Sequence, residues 1–205
     1  MVVSVMIFSD TPLLSMLYVV SGQCLIEAQA YGGNSNDKTR YGYLKLNGVA
    51  FWQASWAGKY ANDRGAHMFI VDTSICTLQE SRHYDTHCDR RAAARLRDYL
   101  RGLRKGTVLV GISGDEASGN SDAAEATLSG LGADVSDVRY RGAWAFVAVI
   151  GDPSQTVLDK ELTETAANAR QPNVTASFAG AWYDLLLKQF LFPLHTCTCE
   201  TFMDP

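Results

Sequence analysis

Between Tyr43-Leu44-Lys45-Leu46 and Val49-Ala50-Phe51-Trp52 stands Asn47-Gly48, a pair that leaves its surroundings little choice of conformation. A two-residue link between twisted antiparallel strands needs positive φ at both positions, which Asn and Gly supply at least cost. An antiparallel hairpin is therefore expected here. Leu25 to Tyr31 is strand-prone ahead of it, and Gly32 to Asp37 is a loop by composition. Ala66 to Val71, Thr107 to Ile112 and Ala143 to Ile150 are continuous apolar runs, the pattern of buried strands. Leu78 to Tyr84 alternates and pairs back across a turn at Asp72 to Cys76, and Val135 to Tyr140 reads as a further strand. Asp89 reads as a helix N-cap, with Ala92, Leu96, Tyr99, Leu100 and Leu103 forming one apolar face. Ser113 to Ser121 is a polar loop, and Asp122 with Glu125 opens a second helix that Gly132 stops. Ser154 to Arg170 is polar and helix-prone, and Phe178 to Phe192 is an apolar segment able to dock as a helix. This order suits an α+β fold.

Composition narrows the function classes. The chain has 205 residues, 47% of them apolar, which excludes disorder. Its net charge of −4 argues against a whole-chain nucleic-acid binder, since such affinity rests on neutralising phosphates. No charge-free apolar run is long enough to span a membrane. Met1 to Val20 is either a poor signal sequence, since Asp10 and Pro12 interrupt it and no Lys or Arg precedes it, or an apolar strand pair. Cys24, Cys76, Cys88, Cys197 and Cys199 allow two disulfides with one thiol left over, in a connectivity the sequence does not fix. Asn173-Val174-Thr175 is a glycosylation sequon that matters only if the chain is secreted.

Several clusters invite chemical readings. Gly111-Ile112-Ser113-Gly114-Asp115 lacks the second Gly of a nucleophile elbow. His83, Asp85 and His87 would share one side of an extended strand and so could hold a metal, though a half-buried strand histidine accounts for His83 equally well. No metal or other cofactor is expected. Asp115 and Glu116 are adjacent carboxylates, whereas glycosidase pairs flank a bond from several ångströms apart. Arg90, Arg91, Arg95, Arg97, Arg101, Arg104 and Lys105 make the first helix basic, either a solvated face or a local patch for an anionic glycan or phosphate. Arg64 enters one buried strand, Asp115 leaves another, and Arg141, with Trp144 nearby, enters a third. Arginine and aspartate direct hydrogen bonds to vicinal hydroxyls while an aromatic face covers the apolar side of a sugar ring.

The order of motifs also carries a resemblance. Arg64-Gly65-Ala66-His67, Tyr84-Asp85-Thr86, Lys105-Gly106-Thr107-Val108-Leu109-Val110, Asp115-Glu116-Ala117-Ser118, Leu128 to Gly132 and Arg141-Gly142-Ala143-Trp144-Ala145-Phe146-Val147 run in sequence. Together they resemble the interleukin-like EMT inducer domain, also found in pancreatic-derived factor and in the lectin-like stem of protein O-mannose N-acetylglucosaminyltransferase. The resemblance implies two twisted, mainly antiparallel sheets with flanking short helices, an extracellular or secretory-pathway setting, and non-catalytic glycan binding. It maps the family's sugar-contacting residues onto Arg64, Asp115 and Arg141, with Trp144 beside them. Gly142 replaces the family's usual Asp, and Cys76 stands where a turn Gly is usual, which suggests a disulfide to Cys88. On this basis residues 1–43 are an apolar segment with the first strands, 44–151 the recognisable domain, and 152–205 a helical extension ending in Cys-x-Cys. The expected function is a lectin-like module, not an enzyme, recognising a neutral or amino sugar on glycans or glycoproteins, with self-association open. The alternative is a secreted cytokine-like or matrix protein acting through protein contacts.

Overall fold

The computed structural model describes residues 3–4, 19–20, 22–33, 41–55, 64–162 and 171–179. At the N-terminus β1 (Val3–Ser4) pairs antiparallel with β2 (Val19–Val20), as the strand-pair reading of that segment requires. A four-stranded sheet follows the order β12 (Asn173–Ala179), β3 (Gln23–Gln29), β5 (Tyr41–Leu46), β6 (Val49–Ser55). A larger sheet follows β11 (Asp152–Glu161), β10 (Ala143–Val149), β9 (Val108–Asp115), β7 (Gly65–Asp72), β8 (Thr77–Tyr84). The short β4 (Tyr31–Gly32) pairs in parallel with the end of β9, while the other described pairings are antiparallel. Two helices, α1 (Ala92–Gly102) and α2 (Asp122–Gly130), complete the described elements. The α+β fold with two mainly antiparallel sheets is thus as expected.

The continuous apolar runs have a simple cause. A strand's side chains alternate between faces, and the larger sheet is covered on both. Val108, Val110 and Ile112 of β9, with Phe69 and Val71 of β7 and Ala145 and Val147 of β10, pack against Ile26, Ala28, Leu44 and Leu46 of the smaller sheet. Leu109, Met68, Trp144 and Phe146 face the other way, onto Ala93, Leu96 and Leu100 of α1 and Leu128 of α2. Each large side chain so buried contributes about 1.5–3 kcal/mol, so the central sheet is held from both sides. At Gly111 the Phe146 ring occupies the space that a side chain would need: a Cβ there would lie 2.2 Å from Cε1.

The Asn47-Gly48 turn has the expected left-handed backbone, φ 49° and 79°. Asn47 also receives the Leu25 N–H on Oδ1 (2.8 Å) and donates its own N–H to the Leu25 carbonyl (2.8 Å), which docks the hairpin tip onto β3.

Several expectations require correction. The polar, helix-prone stretch from Ser154 is strand β11 as far as Glu161, and Asn173–Ala179 is strand β12, so these parts of the 152–205 extension are not helical. Gly151, at φ 80°, reverses the chain, and β11 is an edge strand, where Pro153 needs no ladder donor. Val135 to Tyr140 is a turn: Val138 donates to the Val135 carbonyl (3.1 Å), and these two valines are buried at a spacing of three, not two. Strand β9 continues through Asp115, so the polar loop starts at Glu116. The N-cap of α1 is Arg91, and Asp89 instead accepts the Arg91 N–H on Oδ1 (2.8 Å), one turn earlier.

The disulfide joins Cys76 to Cys24, not to Cys88, whose thiol is free and exposed. Cys76 sits at φ 50° in the β7–β8 turn, above Cys24 on β3, with their Cα atoms 5.1 Å apart. The bond therefore staples the two sheets together. Cys197, Cys199, the apolar segment beyond Ala179 and most of the Gly32–Asp37 loop lie outside the described residues.

Candidate functional site

Where β9 ends, Asp115 adopts φ 50°, an uncommon conformation that Asp tolerates better than most residues. The turn points its carboxylate into a nearly closed position, 9% exposed, where Oδ1 has no hydrogen-bond partner among the described residues. Burial pushes the Asp115 pKa above the ordinary carboxylate value, while the positive charges of Arg141 and Arg64 pull it down and only partly offset burial.

Arg64 reaches the site because Gly65 pairs with Gly114 across the β7–β9 ladder. Its Nε is buried and likewise lacks a partner among the described residues. Its carbonyl accepts a hydrogen bond from His83 Nε2 (2.5 Å), which assigns the proton to that ring nitrogen. The His83 ring stacks on His67 at 4.5 Å, and His67 meets Trp52 at 4.7 Å, so a row of rings backs the Arg64 main chain.

Arg141 has φ 60° and donates its N–H to Glu116 Oε2. The other oxygen of Glu116 accepts the Ser118 N–H (2.6 Å), the Ser118 hydroxyl (2.7 Å) and the Gly119 N–H (3.1 Å). Glu116, 2% exposed, thus shapes the loop and seats Arg141 instead of facing a ligand. It supplies the anchoring that Gly142 cannot: a Cβ at Gly142 would lie 2.7 Å from the Glu161 carbonyl oxygen. The Arg141 guanidinium lies 5.4 Å from the ring centroid of Tyr140, which is 52% exposed.

The remaining wall comes from the N-terminal part of the chain. Past the last β9–β10 pair, β4 lies beside Gly114 and Asp115, and Gly33 donates its N–H to the Asp115 carbonyl (2.6 Å). A Cβ at Gly33 would meet Asp115 Oδ1 at 2.5 Å, and one at Gly32 would meet the Arg141 carbonyl oxygen at 2.3 Å. Only glycine permits this approach.

Arg64, Asp115 and Arg141 therefore come together. Trp144 does not join them as an exposed platform. It is 4% exposed and its ring stacks on Phe146 at 5.7 Å on the helix side of the sheet, while its backbone N–H donates to Ser113 Oγ (2.8 Å). The exposed ring at the site is Tyr140, legible only as the neighbour of Arg141. The parts that Gly33, His83 and Glu116 take here, as close backbone approach, donor to the Arg64 carbonyl and anchor of Arg141, have no sequence signal, because they depend on neighbours distant in the chain.

The metal reading of His83, Asp85 and His87 fails on geometry. The strand stops at Tyr84, and Asp85 turns back to accept the N–H groups of His87 (3.1 Å) and Cys88 (2.9 Å). No cluster of three metal-ligating side chains occurs among the described residues. Nor is any described helix long and apolar enough to cross a membrane. At the sequon, Asn173 opens β12 with its side-chain amide donating to the Tyr43 hydroxyl (3.0 Å).

Comparison with known proteins finds relatives over part of the chain. The chain is 30% identical to the mouse "Cell migration-inducing and hyaluronan-binding protein" over 55% of its own length and 8% of that protein. It is 30% identical to the human protein of the same name over 60% of its length and 9% of the relative, and 32% identical to a zebrafish "Cell surface hyaluronidase" over 43% and 7%. The matched region is less than a tenth of the length of each of these relatives. The family model described as "Interleukin-like EMT inducer" matches residues 64–152, the span that begins with Arg64 and holds Asp115 and Arg141. Through that segment the chain is similar to the interleukin-like EMT inducer domain.

Proposed function

We propose that this protein is a non-catalytic, lectin-like module that binds a neutral or amino sugar of extracellular glycans through Arg64, Asp115 and Arg141. The observation that carries this reading is the buried Asp115 Oδ1, an acceptor without a partner set between two arginines. A buried carboxylate oxygen gains most from a donor brought by a ligand, and a sugar hydroxyl is such a donor. The exposed ring of Tyr140, not the buried Trp144, supplies the apolar contact. Catalysis on a glycoside would need two available carboxyl groups, and Glu116 is already committed to four hydrogen bonds. The Cys24–Cys76 bridge favours an oxidising compartment, in keeping with a secreted or luminal protein. The names of the similar proteins point to a glycan as partner, so oligosaccharides containing N-acetylglucosamine, hyaluronan fragments among them, are the first ligands to try.

Loss of a charge-assisted hydrogen bond costs about 1.5–3 kcal/mol, more than tenfold in affinity. On a glycan array followed by calorimetry, Asp115→Ala/Arg141→Ala should bind at least about tenfold more weakly than the wild type. Equal binding by the double variant removes the site assignment. Hydrolysis of the bound glycan by the wild type removes the non-catalytic reading.

A further inference from the structure

We infer that the exposed face of α1 is a second, electrostatic docking surface, and that its partner is a sulfated glycan chain. The inference does not rest on the Asp115 site. From Asp89 to Lys105 the chain places seven cations (Arg90, Arg91, Arg95, Arg97, Arg101, Arg104 and Lys105) against two carboxylates, Asp89 and Asp98, in a protein whose net charge is −4. Arg95 pairs with Asp89 and Arg97 with Asp98, each at 2.7 Å. Arg90, Arg91, Arg101, Arg104 and Lys105 are exposed and form no salt bridge among the described residues.

This arrangement works against the helix that bears it. Arg91 is the N-cap without a side-chain cap bond, and the first turn has no acidic residue, so cations sit at the positive end of the helix dipole. Arg91 and Arg95, and Arg97 and Arg101, are like charges four residues apart, a spacing that repels. An anionic partner would relieve both. Six of the seven cations are arginines, whose planar forks fit the oxygens of sulfate.

The geometry selects among polyanions. Ala92, Ala93, Leu96 and Leu100 face the core, which leaves Arg97 and Arg101 on the outer side, and Arg104 follows just past the helix. At 1.5 Å per residue these three span roughly 10 Å, and Arg104 and Lys105 continue into an open groove beside Asp72 and Gln79. Three charges in that length match a glycan with several anions per disaccharide better than one with a single carboxylate. A lipid surface would call for apolar side chains to insert, and none of the exposed large apolar residues lies on α1. Single-stranded nucleic acid would call for exposed rings between the cations, whereas Tyr99 is half-buried beneath Arg82.

A size-defined heparin oligosaccharide, titrated into the full chain at 0.15 M salt, tests this. The wild type should bind, and Arg97→Gln/Arg101→Gln/Arg104→Gln should bind at least about tenfold more weakly, with the slope of log affinity against log salt flattened by roughly two to three. The triple variant relieves the Arg97–Arg101 repulsion but gives up the exposed Arg97–Asp98 pair and the last-turn Arg101, small effects of opposite sign, so it should melt close to the wild type, and its melt separates lost docking from lost fold. Absence of wild-type heparin binding, equal binding by the triple variant, or binding of hyaluronan, duplex DNA or phosphatidylserine vesicles that is as tight as heparin's and is likewise lost in the triple variant overturns the inference.

Discussion

Asp115 holds its carboxyl group where burial opposes charge. Burial raises its pKa first, and Arg141 and Arg64 oppose that shift without cancelling it. A folded-state pKa above the unfolded one means that the group's contribution to stability is fully present below the unfolded value of 3.8 and is lost as pH rises through the folded value. Asp115→Asn removes the charge and keeps a side chain that tolerates φ 50°. Its melting temperature should exceed that of the wild type at pH 7, and the gap should close as pH falls towards 3.8. Thermal melts across that range check this, and a variant less stable than the wild type at pH 7 would show that the two arginines outweigh burial. Arg64, Asp115 and Arg141 were legible because each stands at the edge of an apolar run. Trp144 was misread because the face it takes depends on strand parity. Ala143 and Ala145 face the smaller sheet, so Trp144 between them must face the helices.

Among the elements, the β7–β8 turn carries more than its length suggests. Asp72 Oδ1 accepts the Ser74 N–H (2.9 Å), and bonding from Ser74 holds the Asp72 pKa below its usual value. The turn thereby presents Cys76 to Cys24, 52 residues earlier in the chain. Closing a loop of that length restricts the unfolded chain by about 4 kcal/mol. Cys24→Ala/Cys76→Ala should lose about that much stability in urea titrations, and reductant should lower the wild-type midpoint without affecting the variant. An unchanged midpoint would mean that sheet packing alone closes the loop. Hairpins and buried strands could be read from the sequence, since turn residues and apolar runs are local signals. Strand β11 could not. As an edge strand it buries little, and its polar residues resemble a solvated helix until the pairing of Ala143 with Glu161 is known.

In the whole molecule, the central sheet has one face under α1 and α2 and the other under β12–β3–β5–β6. The sheet pairings also cross the expected divisions at 43 and 151: β3 pairs with β5, and β10 with β11. The family segment 64–152 contains both helices but none of the smaller sheet. Alone it would leave Phe69, Val71, Val110, Ile112 and Val147 without cover. A 64–152 fragment should therefore bind a hydrophobic dye and aggregate, whereas residues 22–179 should melt cooperatively without the dye, as calorimetry can show. A compact, dye-free 64–152 fragment would refute this. The glycine approach at Asp115 extends the same point to the site, since Gly32 and Gly33 also precede the family segment. Recombination that moved only the recognisable stretch into another protein would transfer half a core and an open pocket, so the heritable module must be larger than the signature by which it is known.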